Sequence, residues 1–423
     1  MTASAPLFRP EFADQVRPSP ALEALGAEAR RYFMNTGFPS RREEDWRLTS
    51  LTPVTRTPFS PAEPAEGDTK RWTLPEALSL VFVNGQLTER VDTDDLPPGI
   101  TLTSLGSADG ARAALVDQHL GRLASIENRP FVALNTAQSL EGTLIHLAPN
   151  TLLERPLNIV NVTTAENGVT YPRALIVADV GSRATVVETF VGEGTTLCCP
   201  VTEVSVGPGA AVSHIRLIES SPESSILGTI ATVVAEGASY RLSSASIGGA
   251  LSRTDILVDL GGEGADASLD GLTLVGGNDQ GVTEVTVNHR VPNCTSSQRF
   301  RSVLDDQSRA VFTGRIVVAE NAQKTDARQS SRSLLRSLDA VAHNNPQLEI
   351  YADDVRCTHG STVGRLDEEA LFYLRARGID QQTARGLLTL AFAAEVLEGI
   401  SIGSLKERLE DLLMARLGPE GIR

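Results

Sequence analysis

Cys357 and His359 stand two residues apart in the run Leu348-Glu349-Ile350-Tyr351-Ala352-Asp353-Asp354-Val355-Arg356-Cys357-Thr358-His359-Gly360. In extended backbone, residues i and i+2 project to the same face. A soft sulfur and a borderline nitrogen would then lie side by side, a donor pair suited to iron, zinc or copper(I). A tetrahedral metal takes about four donors, and no second Cys-x-x-Cys or His-x-His lies nearby in the sequence. The pair is therefore a half-site, to be completed from elsewhere in the fold or from another chain. The same residues also read as plain structure: cysteine is among the most buried residue types, and a histidine before Gly360 suits a capping or hydrogen-bonding role. Arg356 projects to the opposite face of a strand, away from the thiol whose ionisation it would otherwise favour.

The remaining candidates are weaker. Cys198 and Cys199 face opposite sides of a strand and cannot chelate one ion together, which suggests one core thiol and one surface or groove thiol. Cys294, after Pro292-Asn293, fits a small buried residue at a turn, and His289 a hydrogen-bonded residue ending a strand. Gln323, Asp326, Gln329 and Arg332 recur every three residues. They read as a ladder satisfying backbone groups near an interface, with a proton or ligand path as the alternative. Four cysteines at these spacings make no disulfide framework, and free thiols in a reducing compartment are expected. There is no Gly-x-x-x-x-Gly-Lys-Ser/Thr loop to cradle phosphates.

The elements that must position these side chains follow from composition and period. A chain of 423 residues exceeds one ordinary core, so several domains or one elongated repeat architecture is expected. With 38 basic against 53 acidic residues the net charge is −15, and the lysines are Lys70, Lys324 and Lys406. That balance disfavours nucleic-acid binding through a basic face. No apolar run is long enough to span a bilayer, and Met-Thr-Ala-Ser-Ala-Pro-Leu-Phe-Arg-Pro lacks the pattern of a signal peptide, so a cytoplasmic protein without a membrane partner is expected.

Gly-small pairs recur at Gly181-Ser182, Gly209-Ala210, Gly237-Ala238 and Gly264-Ala265, each opening a strand-like run, with a second strand about halfway through each period. Short strands with Gly turns and no intervening helices suit a parallel β-helix whose stacked coils bury a continuous core. The fold class is thus mainly β: a β-helix over residues 143–365, preceded by an N-terminal helical region with a Pro-rich linker (1–75) and a mixed connecting region (76–142), and followed by a C-terminal helical domain (366–423). Helices are expected over 21–35, 111–124 and 130–138, with a hairpin at Asn84-Gly85. Beyond the repeats, Asp367 and Asp380 are N-caps. Leu387, Leu390, Ala391, Ala394 and Leu397 form one stripe, and Ser404 with Glu407 forms a capping box. This bundle either caps the open end of the solenoid or presents a docking face.

Several blocks together resemble the SufB/SufD family. They are Arg41-Arg42-Glu43-Glu44-Asp45-Trp46-Arg47, Ala322-Gln323-Lys324-Thr325-Asp326, Pro346-Gln347-Leu348-Glu349-Ile350 running into the Cys357-Thr358-His359 segment, and Leu371-Phe372-Tyr373-Leu374. The N-terminal block and the modest length favour its SufD branch. The resemblance implies a right-handed β-helix and a non-enzymatic scaffold of iron–sulfur cluster assembly that pairs with SufB, while each of the two holds a copy of the ATPase SufC. It implies that Cys357 and His359 lie at the SufB interface, where iron or a nascent cluster is held transiently and no cofactor permanently, and that helices in 367–417 dock SufC. A homodimer in the absence of SufB, and a flavin, stay open. Two alternatives from other classes are a polysaccharide-acting β-helix enzyme, using the carboxylates Asp255, Asp259, Glu263, Asp266 and Asp270, and a stand-alone metalloprotein with all its ligands in one chain.

Overall fold

The computed structural model describes residues 20–66, 69–92, 95–138 and 142–417. The first nineteen residues of the expected N-terminal region and the last six of the C-terminal one lie outside the described residues.

The body is a parallel β-solenoid of about eight turns. Sheet A contains Val201–Val206, Ser225–Val234, Leu251–Leu260, Gln280–His289, Arg309–Val318 and Val341–Ile350, each paired in parallel with the next. Sheet B contains Arg183–Gly192, Ala211–Ser220, Ser239–Ile247, Asp266–Val275, Thr295–Leu304, Asp326–Leu335 and Arg356–Gly364. Alternate residues point inward, so Val212, Tyr240, Leu242, Ala267, Leu269, Val204, Ile230, Ile256 and Val285 fill one continuous core. The coil turns need a left-handed backbone. Gly181, Gly209, Gly237 and Gly264 supply it with φ of 60–72°, and Asn293 and Lys324 take over the same place at 60° and 63°.

Upstream strands extend the stack at its N-terminal end. Leu78–Val83 joins sheet B in parallel beside Leu157–Thr163 and turns at Asn84-Gly85 into an antiparallel hairpin with Gln86–Glu89. Ile100–Ser104 pairs antiparallel with Thr143–Leu147 on sheet A.

Helices α1 (Pro20–Thr36), α2 (Thr52–Thr55), α3 (Gly110–His119) and α4 (Pro130–Thr136) lie among the N-terminal elements. Phe33, Trp46, Leu51, Val54, Phe59 and Phe131 pack with Leu227, Leu251, Val282 and Val311 on the outer face of sheet A. The expected Pro-rich linker is thus a packed strap. Its prolines are interleaved with Leu51, Val54 and Phe59, which are buried, and Ser60–Pro61 pairs in parallel with Gly168–Val169.

Helices α5 (Glu368–Ala376), α6 (Gln381–Ala394) and α7 (Gly403–Leu417) follow the last coil. Asp367 and Asp380 cap α5 and α6 through backbone N–H groups two and three residues on. The capping box expected at Ser404 gives way to a longer-range cap: Glu76 accepts from both the backbone N–H and the hydroxyl of Ser404. Leu405, Leu409, Leu413 and Leu417 pack against Ile215, Leu217, Ala245, Ile247, Leu272 and Leu274, the outward residues of sheet B. The bundle therefore flanks the side of the solenoid, and its end is left open. On α6 the buried residues are Ala384, Gly386, Thr389 and Ala393, small side chains that let the helix approach the sheet; of the expected stripe, Leu390 and Leu397 pack against the same cluster, while Leu387, Ala391 and Ala394 are exposed.

Candidate functional site

The solenoid ends in two strands with free edges, Val341–Ile350 on sheet A and Arg356–Gly364 on sheet B. Register places Cys357 on Ala327 and His359 on Gln329, both buried inward residues. Cys357 and His359 therefore share the face that looks into the solenoid interior, as i and i+2 positions on one strand share a face. Cys357 packs against Ile316, Ala322, Ala327 and Ala352 and is half-buried; His359, which no further coil covers, is exposed. Burial pushes the Cys357 thiol above its ordinary value; the Asp326 carboxylate adds to this, against a backbone hydrogen bond at Ala327. Arg356 lies outside, over Asp326, and its N–H donates to Thr325 O.

The mouth between these strands is partly polar. Ser333 donates to Asn344 Oδ1 across it at 3.1 Å, and Asn344 Nδ2 reaches Thr362 O. One coil down, Gln329 Nε2 donates to Gln298 Oε1 at 2.8 Å. Apolar side chains also stand uncovered there, with Ile350 39% and Val363 47% exposed.

The other expected candidates separate. Gln323 does satisfy backbone, accepting from Asp354 N–H, whereas Gln329 is interior, Asp326 pairs with Arg328 outside and Arg332 is exposed. His289 is sealed in the interior, with Nε2 2.9 Å from Ser296 Oγ, and burial lowers its pKa to about 4. Cys198 packs inward with Phe190, Ile218 and Ile226, while Cys199 points outward yet is buried under the N-terminal elements, so the expected surface thiol is absent at this pair. Cys294 is buried at its turn, 3.3 Å from Gly262 O.

The carboxylates that kept a polysaccharide-acting enzyme open are dispersed. Asp255 binds Arg253, Asp259 binds Arg290 and Glu263 binds Asn293 on one side; Asp266 binds Thr295 and Asp270 binds Arg299 on the other sheet.

Two buried polar clusters escaped the sequence reading. Inside the solenoid, Glu188 meets Arg216 at 2.7 Å, His214 Nε2 at 2.8 Å and Thr202 Oγ1 at 2.8 Å, and His214 Nδ1 meets Tyr240 Oη at 2.8 Å. Their signal was present, since Glu188 and Arg216 are 28 residues apart, one coil. On the outer face of sheet A, Arg253 lies 3.8 Å from the Trp46 ring and is held by Asp255 and Glu284, each at 2.9 Å. These groups border a cavity of about 230 Å³.

Comparison with known proteins agrees with this architecture. Residues 161–392 match the profile described as SUF system FeS cluster assembly, SufBD core domain, and residues 72–159 match the SufBD protein N-terminal region. An iron–sulfur cluster assembly SufBD family protein of Synechocystis is 31% identical over 398 residues, covering 90% of this chain and 87% of its own. The iron–sulfur cluster assembly protein SufD of Escherichia coli is 31% identical over 405 residues, covering 92% of both chains. Protein ABCI7, chloroplastic, of Arabidopsis thaliana is 28% identical over 409 residues, covering 91% of this chain and 85% of its own. A parallel solenoid matched along nearly its whole length by such relatives leaves one conclusion: the chain belongs to the SufBD family of iron–sulfur cluster assembly proteins.

Proposed function

We propose that this chain is a non-enzymatic scaffold subunit that pairs through its open solenoid end with SufB and docks the ATPase SufC on its C-terminal helices. The nascent cluster is cargo formed at the shared interface, and Cys357 and His359 are this chain's donors to it. The observation that carries the reading is the uncapped end. Two free strand edges invite pairing with another chain, and the Cys-x-His pair lies on the inward side of the last strand, at the mouth that such a partner would cover. A site shared between chains lets a cluster be assembled and then released.

The docking assignment is supported by Phe372 at 72% and Tyr373 at 57% exposure on α5, with Leu387 at 45% on α6. Exposed aromatics clustered in this way are characteristic of interfaces. No permanent cofactor is proposed. Without SufB, the same edge is free to pair with a second copy. Four free cysteines fit a cytoplasmic, reducing setting.

The test is co-expression with SufB and SufC, anaerobic purification, and measurement of iron and sulfide in the complex. A stable assembly whose cluster content falls more than about tenfold with His359→Ala, a loss worth ~1.4 kcal/mol or more, supports the reading. Undiminished cluster content with both Cys357→Ala and His359→Ala would overturn it.

A further inference from the structure

The inward row of sheet B carries Gln298, Gln329 and His359 at one register position on three successive coils. Gln298 and Gln329 are buried, and the Gln329 amide donates its Nε2 down the stack to Gln298 Oε1. Its own Oε1 is sealed from solvent and has no partner, and neither does Gln298 Nε2. Stacked side-chain amides form such ladders head to tail, and an interior oxygen left without a donor is costly unless the next coil supplies one. Room for this amide has been made across the interior: a Cβ at Gly314 would fall 2.2 Å from Gln329 Nε2 and 2.7 Å from its Cδ. The next residue in the row is His359, adjacent strands being about 4.8 Å apart.

We propose that Gln329 is a positioning residue for His359, an inference that rests on the reading of His359 as a ligand. Its Oε1 accepts one ring N–H and holds the imidazole over the mouth of the solenoid. A neutral imidazole has one donor nitrogen and one acceptor nitrogen. Fixing the donor inward turns the lone pair of the other toward the partner's side, as the outer hydrogen bond of a ligating histidine does. Gln298 anchors the amide so that its oxygen, not its nitrogen, is offered.

The experiment reads the tautomer of His359 by imidazole ¹⁵N shifts in the full chain labelled at histidine. The tautomer ratio is expected to be displaced by about fivefold from that of a solvent-exposed histidine, the bias of one ordinary hydrogen bond. Gln329→Met, similar in shape but without the acceptor, should lose that bias. Gln329→Glu should keep it, because Gln298 can turn its unpartnered Nε2 toward the new carboxyl. Should Gln329→Met fold poorly, the pair Gln298→Leu with Gln329→Leu removes both amides, leaves no orphaned atom and should give the same unbiased ring. A tautomer ratio indifferent to all these variants overturns the proposal. Cluster content of the assembled complex with His359→Ala tests the ligand reading separately: cluster kept beside a Gln329-dependent tautomer removes the ligand and leaves the contact, and the converse result removes the contact alone.

Discussion

Arg216 and Glu188 occupy one register position on neighbouring coils and meet at 2.7 Å inside the solenoid, with neither side chain more than 2% exposed. Removing one member of such a pair strands the other's charge in the interior. Arg216→Met is therefore expected to destabilise the fold by about 3–5 kcal/mol, while the double replacement with Glu188→Met costs much less. Urea unfolding of the three proteins measures the difference.

The same pair makes stability acid-sensitive. Burial alone would raise the Glu188 carboxyl, but Arg216 and His214 overcome it and hold it at about 2, against an ordinary 4.5. A depressed carboxyl contributes stability above its unfolded value, and that contribution is lost as pH falls from 4.5 toward 2. Unfolding midpoints taken between pH 6 and pH 3 should drop steeply in the parent protein and less so when Glu188 and Arg216 are both Met.

Glu284 should behave in the opposite sense. Burial pushes it up to about 8, opposed by Arg253, and the like charges of Asp255 and Asp45 add to the push. Folding then disfavours the carboxylate, so stability declines as pH rises from 4.5 to 8. Glu284→Gln keeps a hydrogen-bonding group beside Arg253, and at pH 8.5 it should melt higher than the parent.

Ile350 and Val363 stand at the open mouth with no coil above them. With less than half of each side chain exposed, covering it gains roughly 0.6–1.4 kcal/mol, and a carboxylate sealed there in its place costs more, so Ile350→Asp and Val363→Asp should each weaken end-to-end association by about tenfold or more. Sedimentation analysis reads that loss. The melting temperature of the separate chain should move little, since no further coil is stacked on these side chains.

Phe372→Asp should abolish ATPase docking in a pull-down without destabilising the chain, because the ring is exposed on α5. Leu409→Ala is the contrasting control: that side chain is sealed against sheet B, and its loss should cost about 2–5 kcal/mol. Removing the whole bundle would uncover Ile215, Leu217 and Leu272 and confuse docking with folding.

The solenoid was legible because its first coils keep a strict period. Gly181, Gly209, Gly237 and Gly264 mark a turn that only a positive φ can make. The signal faded afterwards for two physical reasons. Asn293 and Lys324 adopt the same turn without being glycine, and the coil lengthens from the 28 residues between Glu188 and Arg216 to the 31 between Gln298 and Gln329. Cys357 and His359 were legible as a pair through their two-residue spacing; their inward orientation at the mouth was not, because it depends on register with Ala327 and Gln329. The helical stripe on α6 was misjudged at Leu387 because hydrophobic period does not say which neighbour a helix will meet, and here a flat sheet selected Gly386, Thr389 and Ala393.

The free edge at Arg356–Gly364 also restricts how an assembly can go wrong. A strand added there cannot slip by one residue without reversing every side chain, so the smallest error that keeps its facing is two residues. That is about 6.6 Å along the strand, roughly three times a metal–ligand bond of ~2.0–2.3 Å. A misaligned neighbour would hold its donors wholly out of reach of Cys357 and His359, never slightly off. If the pair is a half-site completed by such a neighbour, as proposed, backbone alignment would be a discrete checkpoint, passed or failed before any ion arrives.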